Sequence, residues 1–344
     1  MGSFVTDLLP RLWGGARDED NELLVQIPGV NAPVPAPVPD PNLADQTVAD
    51  FDIAKRQEGG RADKDIEGAL DRQDAQRELM KKLDVIKPDQ KGPRLPNQVT
   101  QAELEHYALV YSNVRMGRGD LTIDASKSDD PKQYKRDMMD DVGDLMQTTS
   151  GREMLDTLSN NVGAGKDDKG NWIHRHTTVG PFLDKEGNVE RSNSNEQAIA
   201  PLDQPEAGHN ARFANGKPGV GTDARVHVNP NMDVDGSRSD VILFHELAHA
   251  LADTTGVRAE EWVKEDDFPG DANTAKDAAA FKPRYEHQAA GLGKFRNDRI
   301  TENAYRKERR RLALTGKGLA GDLTMSQREN YTEDPAPYSP VFGL

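Results

Sequence analysis

The apolar and polar positions divide the chain unevenly. Residues 1–50 hold a small apolar patch (Phe4, Val5, Leu8, Leu9, Leu12, Trp13) and then run into Pro33-Val-Pro-Ala-Pro-Val-Pro-Asp-Pro41, a composition that predicts extended polyproline II and no core. From Arg61 to Ile86, Ile66, Ala69, Leu70, Leu79, Met80 and Leu83 cluster at helical spacing in a highly charged stretch, which predicts a solvent-exposed helix. Beyond Pro88 and Pro93, Thr100 and Glu103 have the spacing of a capping box for a helix through Leu104, Tyr107, Ala108 and Tyr111 to about Met116. A third helical pattern runs from Lys132 to Ser159, with a break expected near Thr149-Ser-Gly151. Its apolar set is Met138, Met139, Val142, Leu145, Met146, Met154, Leu155 and Leu158. The core-forming domain begins here.

The pattern then changes. Val162 to Asn195 is rich in Gly, Asp, Asn and Lys, and Trp172-Ile-His-Arg-His-Thr-Thr-Val179 within it reads as a strand of a turn-rich hairpin. His174 and His176, two apart, share a face of such a strand; they are read as solvent-facing or substrate-groove residues. Ala224-Arg-Val-His-Val-Asn229 alternates and reads as a second strand, ending at Pro230. A loop with Asp233, Asp235 and Gly236 leads to Ser239 or Asp240 as the N-cap of a helix of about four turns, which Gly256 closes.

That helix carries the chemistry. In Val241-Ile-Leu-Phe-His-Glu-Leu-Ala-His-Ala-Leu251 two histidines and a glutamate interrupt an apolar run. At about 3.6 residues per turn, His245 and His249 lie on one face and can place two imidazole nitrogens on one metal. Glu246 is beside them, placed to take a proton from an attacking water. A surface helix would show a wide polar face, and this segment shows none. A catalytic zinc needs a third protein ligand and an open position. The chain after His249 lacks the glycine and third histidine of the metzincin pattern, so a later carboxylate is expected. Glu286 is the choice, with His287, Glu261 and Glu302 as alternatives. Thr301-Glu-Asn303 is read as capping or bracing the next helix, with Glu302 available as a partner to a zinc histidine. The basic run Arg306, Lys307, Arg309, Arg310, Arg311 is read as a solvated face.

Composition narrows the partners. Among 344 residues only 35% are hydrophobic and 6% aromatic, so part of the chain is expected to lack its own core. A net charge of −15 argues against nucleic acid and an anionic membrane surface. There is no cysteine, so any metal must use His, Asp or Glu. No apolar run approaches a membrane span or a secretory h-region. Met1-Gly-Ser-Phe-Val-Thr6 fits the short myristoylation pattern with Gly2 as acceptor, most simply a coincidence.

Taken in order, His245-Glu-Leu-Ala-His-Ala250, Glu286 with Gly291 and Gly293, Thr301-Glu-Asn-Ala-Tyr-Arg306 and Arg328-Glu-Asn-Tyr331 resemble the NleD-type bacterial effector metallopeptidases. That family is also similar to the clostridial neurotoxin light chains. Asp144-Leu-Met-Gln-Thr-Thr-Ser-Gly-Arg-Glu-Met-Leu155 is similar to the segment that opens the effector domain. The family usually has two acidic residues where this chain has Glu286-His287. The resemblance, covering about residues 138–334, implies an α+β, zincin-like domain with a small sheet and an active-site helix. It also implies Zn2+ on His245, His249 and Glu286, Glu246 as general base, and Arg328 with Tyr331 stabilising the oxyanion.

The expected organisation is thus a Pro-rich tail over 1–50, a helical accessory region over 51–130, a zinc metallopeptidase domain over 131–334 and a C-terminal tail over 335–344. The expected function is a zinc endopeptidase that is secreted or injected by a non-classical route and cleaves a host protein. The alternative is a structural or packaged component of a phage-like particle or injection apparatus, engaged through residues 1–50.

Overall fold

The computed structural model describes residues 60–90, 92–166, 172–183, 197–199, 218–230, 238–259, 262–264 and 281–328. The Pro-rich arm, Gly2, Asp233, Asp235, Glu261, Tyr331 and the tail over 335–344 lie outside them. The described residues form two compact units. One takes the chain up to Arg94 together with Gln98–Ser112; the other takes Leu95–Asn97 and everything from Asn113 onward.

In the smaller unit, helix α1 (Gly60–Leu79) is followed by β1 (Asp84–Val85), which pairs in parallel with β2 (Gln98–Val99) just ahead of α2 (Gln101–Met116). The charged pattern to Ile86 overstates α1. The helix stops at Leu79, and the chain closes on itself through Leu83 N–H to Leu79 carbonyl at 2.8 Å. The residue before Pro88 is also disfavoured in helical conformation. Nor is α1 merely a solvated rod: Ala75 and Leu79 are buried, as is Leu83 just past its end, while Leu70 stays exposed. The Ser112 hydroxyl ties it to α2 by donating to Asp71 at 2.6 Å. The capping box at Thr100 and Glu103 is present, with both main-chain N–H groups satisfied by the partner's side chain.

The larger unit is α+β. Its sheet has the order β3-β6-β8-β7, with β3 (Leu121–Ile123), β6 (Thr177–Gly180) and β8 (Ala224–His227) parallel and β7 (Gln197–Ile199) antiparallel at the edge. A separate hairpin joins β4 (Val162–Lys166) to β5 (Trp172–His174). The long amphipathic stretch forms two helices, α3 (Pro131–Leu145) and α4 (Thr149–Ser159), and its whole expected apolar set is buried. The break falls at residues 146–148, directly ahead of Thr149-Ser-Gly151. Thr148 donates its hydroxyl to the Leu145 carbonyl at 3.0 Å and caps the second helix, accepting from the Gly151 N–H at 3.0 Å.

Helix α5 (Ser239–Thr255) is the centre of this unit and packs against α3, α4, β4, β7 and β8, and against α6 (Arg284–Ala290) and α7 (Glu302–Leu314). Every residue from Asp240 to Thr255 is buried, as an apolar helix with no polar face requires. Its N-cap is Arg238, not Ser239 or Asp240, and no side chain caps it. Asp240 is instead drawn into the first turn by Arg238, 2.8 Å away, and by the Tyr305 hydroxyl, which donates to its carboxylate. Gly256 closes the helix at φ 73°, where a Cβ would sit 2.2 Å from the Gly219 carbonyl oxygen, so only glycine fits. Among the described residues no helix is long and apolar enough to cross a membrane.

Candidate metal centre

His245 and His249 sit one turn apart on α5, with their Nε2 atoms 3.1 Å apart. Glu286, in the first turn of α6, brings Oε2 to 3.1 Å from His249 Nε2 and 3.4 Å from His245 Nε2. Ligand atoms held tetrahedrally at about 2.0–2.1 Å from a zinc-sized ion lie about 3.3 Å apart. The three separations match that edge length, and among the described residues this is the group able to hold a metal ion. His287 is buried beside Glu286 but is not part of the group, and neither is Glu302.

A carboxylate behind the cluster orients it. Glu302 Oε2 lies 2.8 Å from His245 Nδ1. An ionised carboxylate only accepts, so His245 donates through Nδ1 and turns Nε2 toward Glu286 and His249. The other oxygen of Glu302 accepts from Arg306 Nε at 2.5 Å and Arg328 Nε at 2.8 Å. Burial alone would push the Glu302 carboxyl up, but Arg306, Arg328 and His245 hold it well below the usual carboxylate range. Burial likewise pushes the His245 imidazole down, yet its bonds to Glu286 and Glu302 outweigh this and raise it to about 10. Glu286, half-buried, is held far below its ordinary value by His249 and His245, which outweigh the opposing effect of desolvation. Two carboxylates thus face His245 and favour positive charge there, which a proton or a bound cation would supply.

Backbone geometry sets the two carboxylates in register. Thr301 caps α7, accepting from the Ala304 N–H at 3.2 Å. Gly291, at φ 80° after α6, lies so close to Thr301 that a Cβ would approach its hydroxyl oxygen to 2.4 Å. The C-terminal end of α6, the helix whose first turn holds Glu286, is thus seated on the start of α7, where Glu302 lies.

Glu246 is 7% exposed and follows His245 on α5; its charge is among those that raise the His245 pKa. Arg328 reaches the site through Glu302. His174 and His176 are well exposed, with Nδ1 atoms 3.0 and 3.1 Å from the two oxygens of Asp120.

The basic run is not a solvated face. Arg306 is 4% exposed and Arg309 0%. Helical spacing puts 302, 305, 306 and 309 on the face turned to α5, and their charges are neutralised there. Arg309 pairs with Asp322 at 3.0 Å, and Asp322 also takes Arg238 at 2.6 Å. Of the remainder, Lys307 and Arg311 are exposed and Arg310 is half-buried.

Other neighbours of the site had no signal in periodicity. The Tyr285 ring meets His249 edge-on, with centroids 5.4 Å apart, and the Arg258 guanidinium lies 5.9 Å from the Tyr285 ring centroid. Arg258 is itself paired with Asp253, two turns beyond His245 on α5, at 3.0 Å. Only the position of Tyr285 next to Glu286 could have suggested its place.

An α+β fold whose central buried helix contributes two histidines to a His/His/Glu group defines the class: a protein with a side-chain cluster that could hold a metal ion. The family is narrower. Residues 121–331, more than half of the chain, match the Peptidase_M91 family model, described as "Effector protein", and the chain belongs to this family of effector peptidases. Among curated proteins nothing matches the chain.

Proposed function

We propose that the protein is a zinc-dependent endopeptidase of NleD type and zincin-like architecture, delivered by a bacterium into a target cell, where it cuts a host protein. The observation that carries this is the trio of ligand atoms 3.1–3.4 Å apart on an effector-peptidase chain. The activity is assigned to residues 131–334, with the strand β3 ahead of them completing the sheet. His245, His249 and Glu286 would hold the metal. When bound, zinc supplies Lewis acidity, lowering the pKa of water and polarising a peptide carbonyl.

The remaining steps belong to side chains. Glu246 takes the proton of the attacking water and returns it to the departing amide nitrogen. Its buried position next to His245 keeps bulk water from competing for that proton. Glu302 fixes the His245 tautomer at Nδ1. Arg328, with Tyr331 three residues on, donates to the carbonyl oxygen as negative charge grows there. Delivery contacts through residues 1–50 remain part of the proposal. The particle-borne alternative rested on that arm, and nothing among the described residues favours it.

Incubation of wild type and Glu246→Ala with target-cell lysate, followed by comparison of new protein N-termini, tests the reading. Cleavage products should appear with wild type and vanish with the variant, while both bind about one metal per chain. Undiminished cleavage by Glu246→Ala would sink the mechanism.

A further inference from the structure

Arg328 lies in a segment, residues 325–328, that follows a short 3-10 helix (Ala320–Thr324) and has no regular secondary structure of its own. Its place beside Glu302 therefore has to be set by something other than a sheet or helix ladder. The first turn of α7 supplies a fork. The Asn303 side chain accepts from the Arg328 main-chain N–H through Oδ1 at 2.6 Å and donates from Nδ2 to the Arg328 carbonyl at 2.9 Å. One amide thus grips both main-chain groups of a single residue 25 positions away. The Gln327 side chain adds a bond to the Asn303 carbonyl at 3.2 Å. Asn303 is 6% exposed, so the two bonds are shielded from competing water.

The residue type is demanding. The fork needs one acceptor and one donor in a plane at fixed separation on a short stem. Aspartate keeps the acceptor and loses the donor, alanine loses both, and glutamine moves them a methylene further out. Next to it in sequence, Glu302 takes the Arg328 side chain while its second oxygen takes His245. Residue 328 is thereby held at the main chain by 303 and at the guanidinium by 302.

We infer that Asn303 is a positioning residue for the reaction: it fixes the main chain at 328 so that the Arg328 guanidinium meets Glu302 beside the metal cluster. This rests on the reading of Arg328 as an oxyanion donor. Asn303 touches neither substrate nor metal; it acts through Arg328. Misplacing a catalytic group by about an ångström can cost up to about 100-fold in rate.

The experiment combines exchange and a double-mutant cycle on the full-length, metal-loaded protein. Amide hydrogen exchange at Arg328 should be slow in wild type and accelerate at least about tenfold in Asn303→Ala. Asn303→Asp, which keeps the acceptor and most of the shape, should fall between them and guards against a variant that does not fold. On a peptide spanning a mapped cleavage site, Asn303→Ala should lower kcat by about 10- to 100-fold with KM and metal content unchanged. In an Arg328→Ala background, itself slower by about 10²- to 10³-fold, the same substitution should have no further effect. An unchanged Arg328 exchange rate in Asn303→Ala, or an equal loss of kcat in both backgrounds, overturns the inference. Full activity of Arg328→Ala overturns the oxyanion reading and with it the role of Asn303. The exchange measurement, which needs no activity, tells that outcome apart from failure of the fork itself.

Discussion

Replacing Glu302 with glutamine is the sharpest perturbation of the cluster that leaves every proposed metal ligand in place. The carboxylate is fully buried and accepts from His245 Nδ1 at 2.8 Å, Arg306 Nε at 2.5 Å and Arg328 Nε at 2.8 Å. A glutamine keeps one acceptor oxygen and turns an NH2 group toward the other side. Either His245 or the two arginines then face a donor, and the negative charge between them is gone. Removing one partner of a buried ion pair costs roughly 3–5 kcal/mol, because the other charges stay buried. Losing the carboxylate behind a ligating histidine typically weakens metal binding by about 10- to 100-fold, or about 1.4–2.7 kcal/mol. The chelator-treated variant should melt roughly 6–20 °C below wild type, at about 2–4 °C per kcal/mol for a domain of this size. Scanning calorimetry with and without chelator measures the first effect, and competition against a chromophoric chelator the second. A folded Glu302→Gln protein that binds zinc as tightly as wild type would refute the claim that this carboxylate orients His245.

Metal binding should release about one proton per ion near neutral pH, because His245, raised to about 10, is protonated in the metal-free protein while Glu286 is already ionised. The sign follows: His245 stabilises the metal-free fold fully below pH 6.5 and loses that contribution as pH rises toward 10, whereas metal affinity grows about tenfold per pH unit in the same window. Isothermal titration in buffers of different ionisation enthalpy counts the proton; a count of zero would contradict the cluster's charge state. Asp322→Ala should cost roughly 3–5 kcal/mol in denaturant unfolding, since it strips Arg309 and Arg238 of a shared buried partner. A loss below about 1 kcal/mol would mean that the two arginines find other partners.

What the sequence discloses follows from how each feature is encoded. Periodicity marks burial, so the helices around Met138–Leu158 and Val241–Leu251 were legible along with their core residues. Short-range stereochemistry marks caps, so Thr100 with Glu103 and Gly256 were legible too. Charge is different. A run such as Arg306 to Arg311 looks solvated unless the acids that neutralise its members are known, and Asp322, Asp240 and Glu302 are scattered over more than 80 positions. Asn303 is harder still, since its partners are main-chain groups that carry no sequence signal. The expected break lay about a residue past the actual one at 146–148, and the expected N-cap a residue past Arg238, within the spread that helix boundaries carry.

The buried charges are not scattered within the fold. Along α7, Glu302 meets His245, Tyr305 stacks on Phe244 with centroids 4.6 Å apart and bonds Asp240, and Arg309 meets Asp322, which also holds Arg238 at the start of α5. Positions rising along α7 thus meet positions falling along α5, so the two helices run antiparallel. Their alignment is fixed at several polar contacts with different chemistry. Apolar packing alone tolerates a slip, because one leucine replaces another at modest cost. Here a shift of one residue would turn Glu302 away from His245 and part Asp322 from Arg238, each a penalty of several kcal/mol. The buried network is therefore best understood as a device of alignment, in which desolvation is tolerated because only one register satisfies it. That register is the one that brings Glu302 behind the histidine of the metal cluster.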